Sequence, residues 1–190
     1  MPVVMRMLID SRYRRFTRKT REIIRRDPNY SFLNRMKFIA HSVKGEKIIR
    51  FGDVYLIVSM APPLPTRAFL SYFTANQDNL FSKRAQVSRS APISVHLCVT
   101  NKCTYDCVHC STKFRRTGKE LNTDQWIQVI NDLQDMGTAW IGFTGGEALL
   151  RNDIEELVNR VDDRSTTLLF TNGKDLSLKR QDNFWRAAFR

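Results

Sequence analysis

From Ile93 onward the apolar positions alternate between two periods. Ile93–Thr100 is rich in β-formers and reads as a strand. Thr123–Met136 has helical spacing, with Trp126, Val129, Ile130 and Leu133 on one face and Gly137 as a C-terminal stop. Thr138–Phe143 reads as a strand running into Thr144, Gly145, Gly146 and Glu147. A helix starting at Asn152 or Asp153 carries Ile154, Leu157, Val158 and Val161. Thr166–Phe170 is a further strand ending at Thr171, Asn172 and Gly173, and a last helix begins near Ser177. Three strand–helix units in succession predict an α/β fold with parallel strands and crossover helices. Ligands of such folds gather at the carboxyl ends of the strands, so the three loops that follow the strands are expected on one rim.

The first 92 residues read differently. A basic helix is expected over 11–26, with Tyr13, Phe16, Ile23 and Ile24 as a narrow apolar stripe, and a second helix over 30–43. Lys47–Phe51 and Val54–Ser59 are expected strands joined by Gly52 and Asp53 in a hairpin turn. After the proline-rich 61–65, Thr66 is expected to cap a short helix reaching Phe73, and 76–92 reads as an irregular linker. The expected organisation is a basic α+β region over 1–92 followed by a second domain over 93–190.

Charge sharpens that division. Eighteen Lys and Arg face six Asp and Glu before Ile93, whereas thirteen of each follow it, so the net charge of +12 resides in the first half. Arg12, Arg14, Arg15, Arg18, Lys19, Arg21, Arg25 and Arg26 supply much of it. They can dock an anionic partner, but the preferred reading is a solvated helix face, and nucleic acid is not the expected partner. No stretch approaches the ~20 apolar residues of a membrane span, and Met1–Ile9 is short and interrupted by Arg6, a poor signal peptide. A cytoplasmic protein is expected.

All four cysteines, Cys98, Cys103, Cys107 and Cys110, fall within thirteen residues. Disulfides usually staple distant segments, so the clustering favours metal or redox chemistry. Three thiolates on one loop can wrap a 4Fe–4S cube and leave one iron open, which suits catalysis rather than a purely structural site. Cys98 lies within the strand and reads as a small buried residue. His96, two positions before it, either points into a barrel interior or is a satisfied core histidine, and the second reading is preferred. Tyr105 and Asp106 read as ordinary loop residues, and His41 has no partner in sequence.

The run Cys103-x-x-x-Cys107-x-x-Cys110 after a first strand resembles the hallmark of the radical S-adenosylmethionine (SAM) superfamily. Gly145-Gly146-Glu147, 37 residues after Cys110 with one helix and one strand between, looks like that family's Gly-Gly-Glu motif. Ala148 stands where the family often has Pro. Thr171-Asn172-Gly173 resembles the segment closing the family's third strand, although a polar turn with a left-handed glycine explains it equally well.

The resemblance implies a (β/α) barrel, of which about three of six units are present here, so the chain is expected to be a fragment or half of a split enzyme. It implies a 4Fe–4S cluster on Cys103, Cys107 and Cys110. It also implies SAM, with amino and carboxylate groups on the open iron, the amino group held by Gly145, Gly146 and Glu147, the adenine near His109, and Asn172 lining the pocket. The chemistry implied is reductive cleavage of SAM to a 5′-deoxyadenosyl radical that abstracts hydrogen from substrate, with a flavodoxin- or ferredoxin-type reductant. His109 and the N-terminal region favour a peptide or protein substrate. The alternative is a non-catalytic module that holds zinc, with Cys98 as a fourth thiolate, and binds nucleic acid through the basic region.

Overall fold

The computed structural model describes residues 48–51, 54–57, 61–63, 66–69, 71–72, 91–113 and 118–188. The chain divides into two compact units, Met1–Leu70 and Ser71–Arg190. In the first, β1 (Ile48–Phe51) and β2 (Val54–Ile57) pair antiparallel, Ile48 opposite Ile57 and Phe51 opposite Val54, where the sequence predicts a hairpin. Thr66 caps the helical turn at residues 67–69 as expected, its hydroxyl accepting from Phe69 N at 3.1 Å and donating to Pro63 O at 2.7 Å. The helices expected over 11–26 and 30–43, and residues 76–90 of the expected linker, lie outside the described residues.

The second unit is built on β3 (Ser94–Thr100), α1 (Thr123–Met136), β4 (Trp140–Gly145), α2 (Ile154–Arg160), β5 (Thr166–Leu169) and α3 (Leu178–Ala188), with a 3₁₀ turn at Ala148–Leu150. The strands form one parallel sheet in the order β3-β4-β5, with Leu97 opposite Phe143 and Phe143 opposite Leu169. The expected α/β alternation is therefore present as three βα units, a partial α/β barrel.

Local chemistry sets the boundaries of α1. The Asn122 side chain accepts from Gln125 N at 2.9 Å while the Gln125 side chain accepts from Asn122 N at 3.0 Å, a reciprocal cap of the first turn. At the other end Gly137 adopts φ 96°. Its N–H bonds Gln134 O and that of Thr138 bonds Leu133 O, which closes the last turn. Gln134, buried, clips α1 to the end of α2. Its amide donates to Arg160 O at 3.3 Å and accepts from Asp162 N at 2.8 Å.

The core lies on one face of the sheet. Leu97, Val99, Ile141 and Phe143 from the strands meet Ile130 and Leu133 of α1 and Ile154, Leu157 and Val158 of α2, with Phe184 of α3 packed against them. Pleating sends alternate side chains to the other face, where Ser94, His96 and Cys98 are exposed. Two sequence expectations are corrected here. His96 is not a core histidine and Cys98 is not a buried small residue, because the helices cover only the face carrying Leu97 and Val99. The His96 ring instead rests against Phe170, centroids 4.8 Å apart, above Gly142. No helix among the described residues is long and apolar enough to cross a membrane.

Candidate functional site

Parallel pairing puts the carboxyl ends of β3, β4 and β5 at one edge of the sheet, and hydrogen bonds tie the loops that leave them. Gly146 N donates to Thr100 O and Glu147 N to Lys102 O, both at 2.7 Å. The second loop therefore lies directly on the backbone that leads into Cys103. This contact explains the paired glycines. A Cβ on Gly145 would sit 2.3 Å from Thr100 O, and one on Gly146 would sit 2.1 Å from Lys102 O. Gly145 also has φ 136°, a region that side chains rarely enter. In this structure the glycines admit a neighbouring backbone.

Glu147 joins the second loop to the third. Its side chain is buried at 3% exposure. Oε1 accepts from Leu149 N at 3.0 Å and from the Thr171 hydroxyl at 2.7 Å, and Oε2 accepts from Asn172 N at 2.8 Å. A carboxylate offers about four acceptor positions, so one on Oε2 remains. Asn172 Oδ1 accepts from Lys174 N at 2.9 Å and Gly173 has φ 79°, the local turn that the sequence allows. A further link joins the third loop to the first, Lys174 Nζ lying 5.8 Å from the centre of the Tyr105 ring.

On the first loop Cys103 and Cys110 are half-buried and Cys107 is exposed, and the three are in the reduced state. Cys110 N bonds Cys107 O at 3.1 Å, a turn that carries His109 exposed at its edge. Tyr105 N points at Cys103 Sγ from 3.5 Å, and Cys110 Sγ lies 3.4 Å from the Thr112 hydroxyl. The donor chemistry suits a cluster, being thiols on one short loop with an N–H aimed at a sulfur, the kind of hydrogen bond that tunes iron–sulfur sites. Among the described residues no three His, Cys, Asp or Glu side chains converge on a point that one metal ion would occupy. A cube binds each thiolate through a different iron and does not require that convergence. No hydrogen bond joins the His109 side chain to Glu147 or Asn172 among the described residues. The structure thus ties the root of the cysteine loop, which carries His109, to Gly146, Glu147, Thr171 and Asn172.

Two residues at the root of the first loop carry no signal in the sequence. Register shifts between Cys98 and Thr100, which releases Val99 O from the ladder. Arg151 Nη1 takes it at 2.8 Å and also bonds Leu121 O at 3.0 Å. The guanidinium is anchored in turn by Asp153, with Nη2 bonded to Oδ2 at 2.9 Å and Nε 2.7 Å from Oδ1 in an ionic contact without hydrogen-bond alignment. Burial tends to raise the Asp153 pKa, but the bonds from Arg151 and Thr123 outweigh it and hold the carboxyl below its ordinary value. Next to Leu121, Glu120 Oε1 accepts from Asn101 N at 2.6 Å and from the buried Thr100 hydroxyl at 2.9 Å. The Asn101 N–H above all, helped by Thr100 and by the charges of Arg151 and Lys102, lowers the Glu120 pKa.

Residues 97–186 match the family model of the radical SAM superfamily. A PqqA peptide cyclase of Bradyrhizobium diazoefficiens is 39% identical over 74 residues, 38% of this chain, and the chain spans only 20% of that relative's length. The crystal structure of selenomethionine BtrN in an open conformation aligns with a TM-score of 0.44 and 20% identity, over 50% of this chain and 46% of BtrN.

Proposed function

The chain belongs to the radical SAM superfamily through residues 97–186, and from that premise we propose that it binds a 4Fe–4S cluster through Cys103, Cys107 and Cys110 and SAM across the three strand-end loops. The observation that carries this is the hydrogen-bonded chain from the root of the cysteine loop through Gly146 and Glu147 to Thr171 and Asn172. It makes three separate loops one rim.

On this reading the three thiolates take three irons and leave the fourth to the amino and carboxylate groups of SAM. The backbone carbonyls of Gly145 and Gly146 and the remaining acceptor position of Glu147 receive the ammonium group. The Asn172 amide faces the same pocket, and His109 lies toward the adenine. When bound, the pair supplies the reductive cleavage of SAM and the hydrogen-abstracting radical chemistry of the family, driven by a flavodoxin- or ferredoxin-type reductant. The protein's part is positioning. Three donors hold the Glu147 carboxyl group in one orientation and leave one acceptor position for an ammonium ligand. The peptide named in the cyclase relative supports a peptide or protein substrate.

The test is anaerobic reconstitution of the full chain with iron and sulfide, followed by iron analysis and reduced-state EPR with and without SAM. About four irons per chain, lost on Cys→Ala at any of the three positions, with a signal that SAM perturbs, is the expected result. Stoichiometric zinc with no paramagnetic signal would transfer the loop to the zinc-module reading.

A further inference from the structure

We infer that Glu120 is a positioning residue that closes the neck of the cysteine loop and sets the backbone from which Cys103 projects; this rests on the proposed function above. Asn101 and Glu120 bracket all three cysteines in sequence. The side chain of one accepts from the backbone of the other at 2.6 Å. The same oxygen accepts from the Thr100 hydroxyl, and that hydroxyl accepts from Lys102 N at 3.2 Å. Residues 100–102 are thereby held by Glu120 and, through Thr100 O and Lys102 O, by Gly146 and Glu147. Cys103 is the next residue.

Helix capping does not account for Glu120. Asn122 and Gln125 already complete the cap of α1 between themselves. An ordinary surface ion pair does not describe these bonds either, because among the described residues both hydrogen-bond partners of Glu120 are donors on the loop root. What remains is closure. Without the contact the chain between Asn101 and Glu120 gains freedom, and that freedom must be lost again when three thiolates are fixed around one cluster. Arg151 supports the closure by holding Leu121 O and Val99 O on the two sides of the neck.

The experiment uses the full chain and three variants, E120Q, E120D and E120A. Gln keeps the reach and one acceptor oxygen but loses the charge. Asp keeps the charge and loses the reach. Two quantities are measured beside thermal unfolding, namely the rate of iron loss from the reconstituted protein to a strong chelator and the rate of Cys103 alkylation in the cluster-free protein, read by mass spectrometry. Closure by geometry predicts that E120A and E120D lose iron about tenfold faster than wild type, the usual effect of removing an outer-shell partner. It also predicts faster Cys103 alkylation in both, with E120Q near wild type. If all variants lose iron and alkylate at the wild-type rate, or change only in unfolding midpoint, the inference is overturned while the proposed function stands. If E120D behaves as wild type and E120Q as E120A, charge rather than closure is the operative property and the inference is likewise overturned. If wild type itself takes up no iron, the proposed function falls, and the alkylation rates of the cluster-free proteins still decide the role of Glu120.

Discussion

Two glycines of the same chain separate two reasons for having no side chain. Gly137 ends α1 at φ 96° with nothing within 4 Å of an added Cβ. Gly137→Ala therefore meets only the left-handed backbone, a cost of about 1 kcal/mol. A Cβ on Gly146 would lie 2.1 Å from Lys102 O, 2.6 Å from Lys102 C and 2.9 Å from Asn101 O. All three are backbone atoms, held in place by the bonds of Gly146 and Glu147, so they cannot swing aside as a side chain would. Gly146→Ala is expected to cost about 3 kcal/mol, the upper range of overpacking, and to separate the second loop from the root of the first. Denaturant unfolding of the two variants beside wild type checks the ranking. Equal costs would mean that the close approach at Gly146 relaxes easily.

At the scale of elements, Glu147 is the joint between β4 and β5 beyond their ladder. Gln in its place keeps one carbonyl oxygen for Leu149 N and the Thr171 hydroxyl, but turns an NH2 group toward Asn172 N, donor against donor. In a site with 3% exposure water has little access to relieve that conflict. Glu147→Gln is expected to cost about 2 kcal/mol, a fall of roughly 6 °C in the unfolding midpoint of the ligand-free chain. A midpoint equal to that of wild type would show that the third loop needs no tie to Glu147. The strands and helices of the second unit were legible in sequence, because alternating and helical periods mark which face of each element is apolar, and Gly137 marks the end of α1. The rim was legible too, since parallel strands put their carboxyl ends together. The roles of Glu120 and Arg151 were not. Both act on backbone groups, Asn101 N–H and the Val99 carbonyl released by a bulge, and backbone partners leave no pattern of side-chain types. The exposed face bearing His96 and Cys98 was misread for a related reason. β3 carries apolar Leu97 and Val99 on one face and His96 and Cys98 on the other, and only the packing of α1 and α2 shows which face is covered.

Across the whole molecule, the carboxylates at the loop root tie stability to pH. Glu120 and Asp153 both titrate below their ordinary values of 4.5 and 3.8 in the folded chain. Between the ordinary value and the lowered one the unfolded chain binds the proton and the folded chain does not, so lowering the pH there favours unfolding. Their contribution is complete above about pH 5, where both are ionised in either state, and is lost as pH falls through the folded-state values. Thermal midpoints of the ligand-free chain are expected to show no effect of these two groups between pH 7 and about pH 5, and a fall below that. The double variant Glu120→Gln, Asp153→Asn removes both titrations while keeping side-chain size. It should be less stable than wild type at neutral pH, where the wild-type bonds carry charge, and should approach wild type as the pH is lowered. Parallel acid limbs for the two proteins would mean that other carboxylates govern acid unfolding. The neck of the cysteine loop would then keep its two carboxylate bonds without linking them to the stability of the whole.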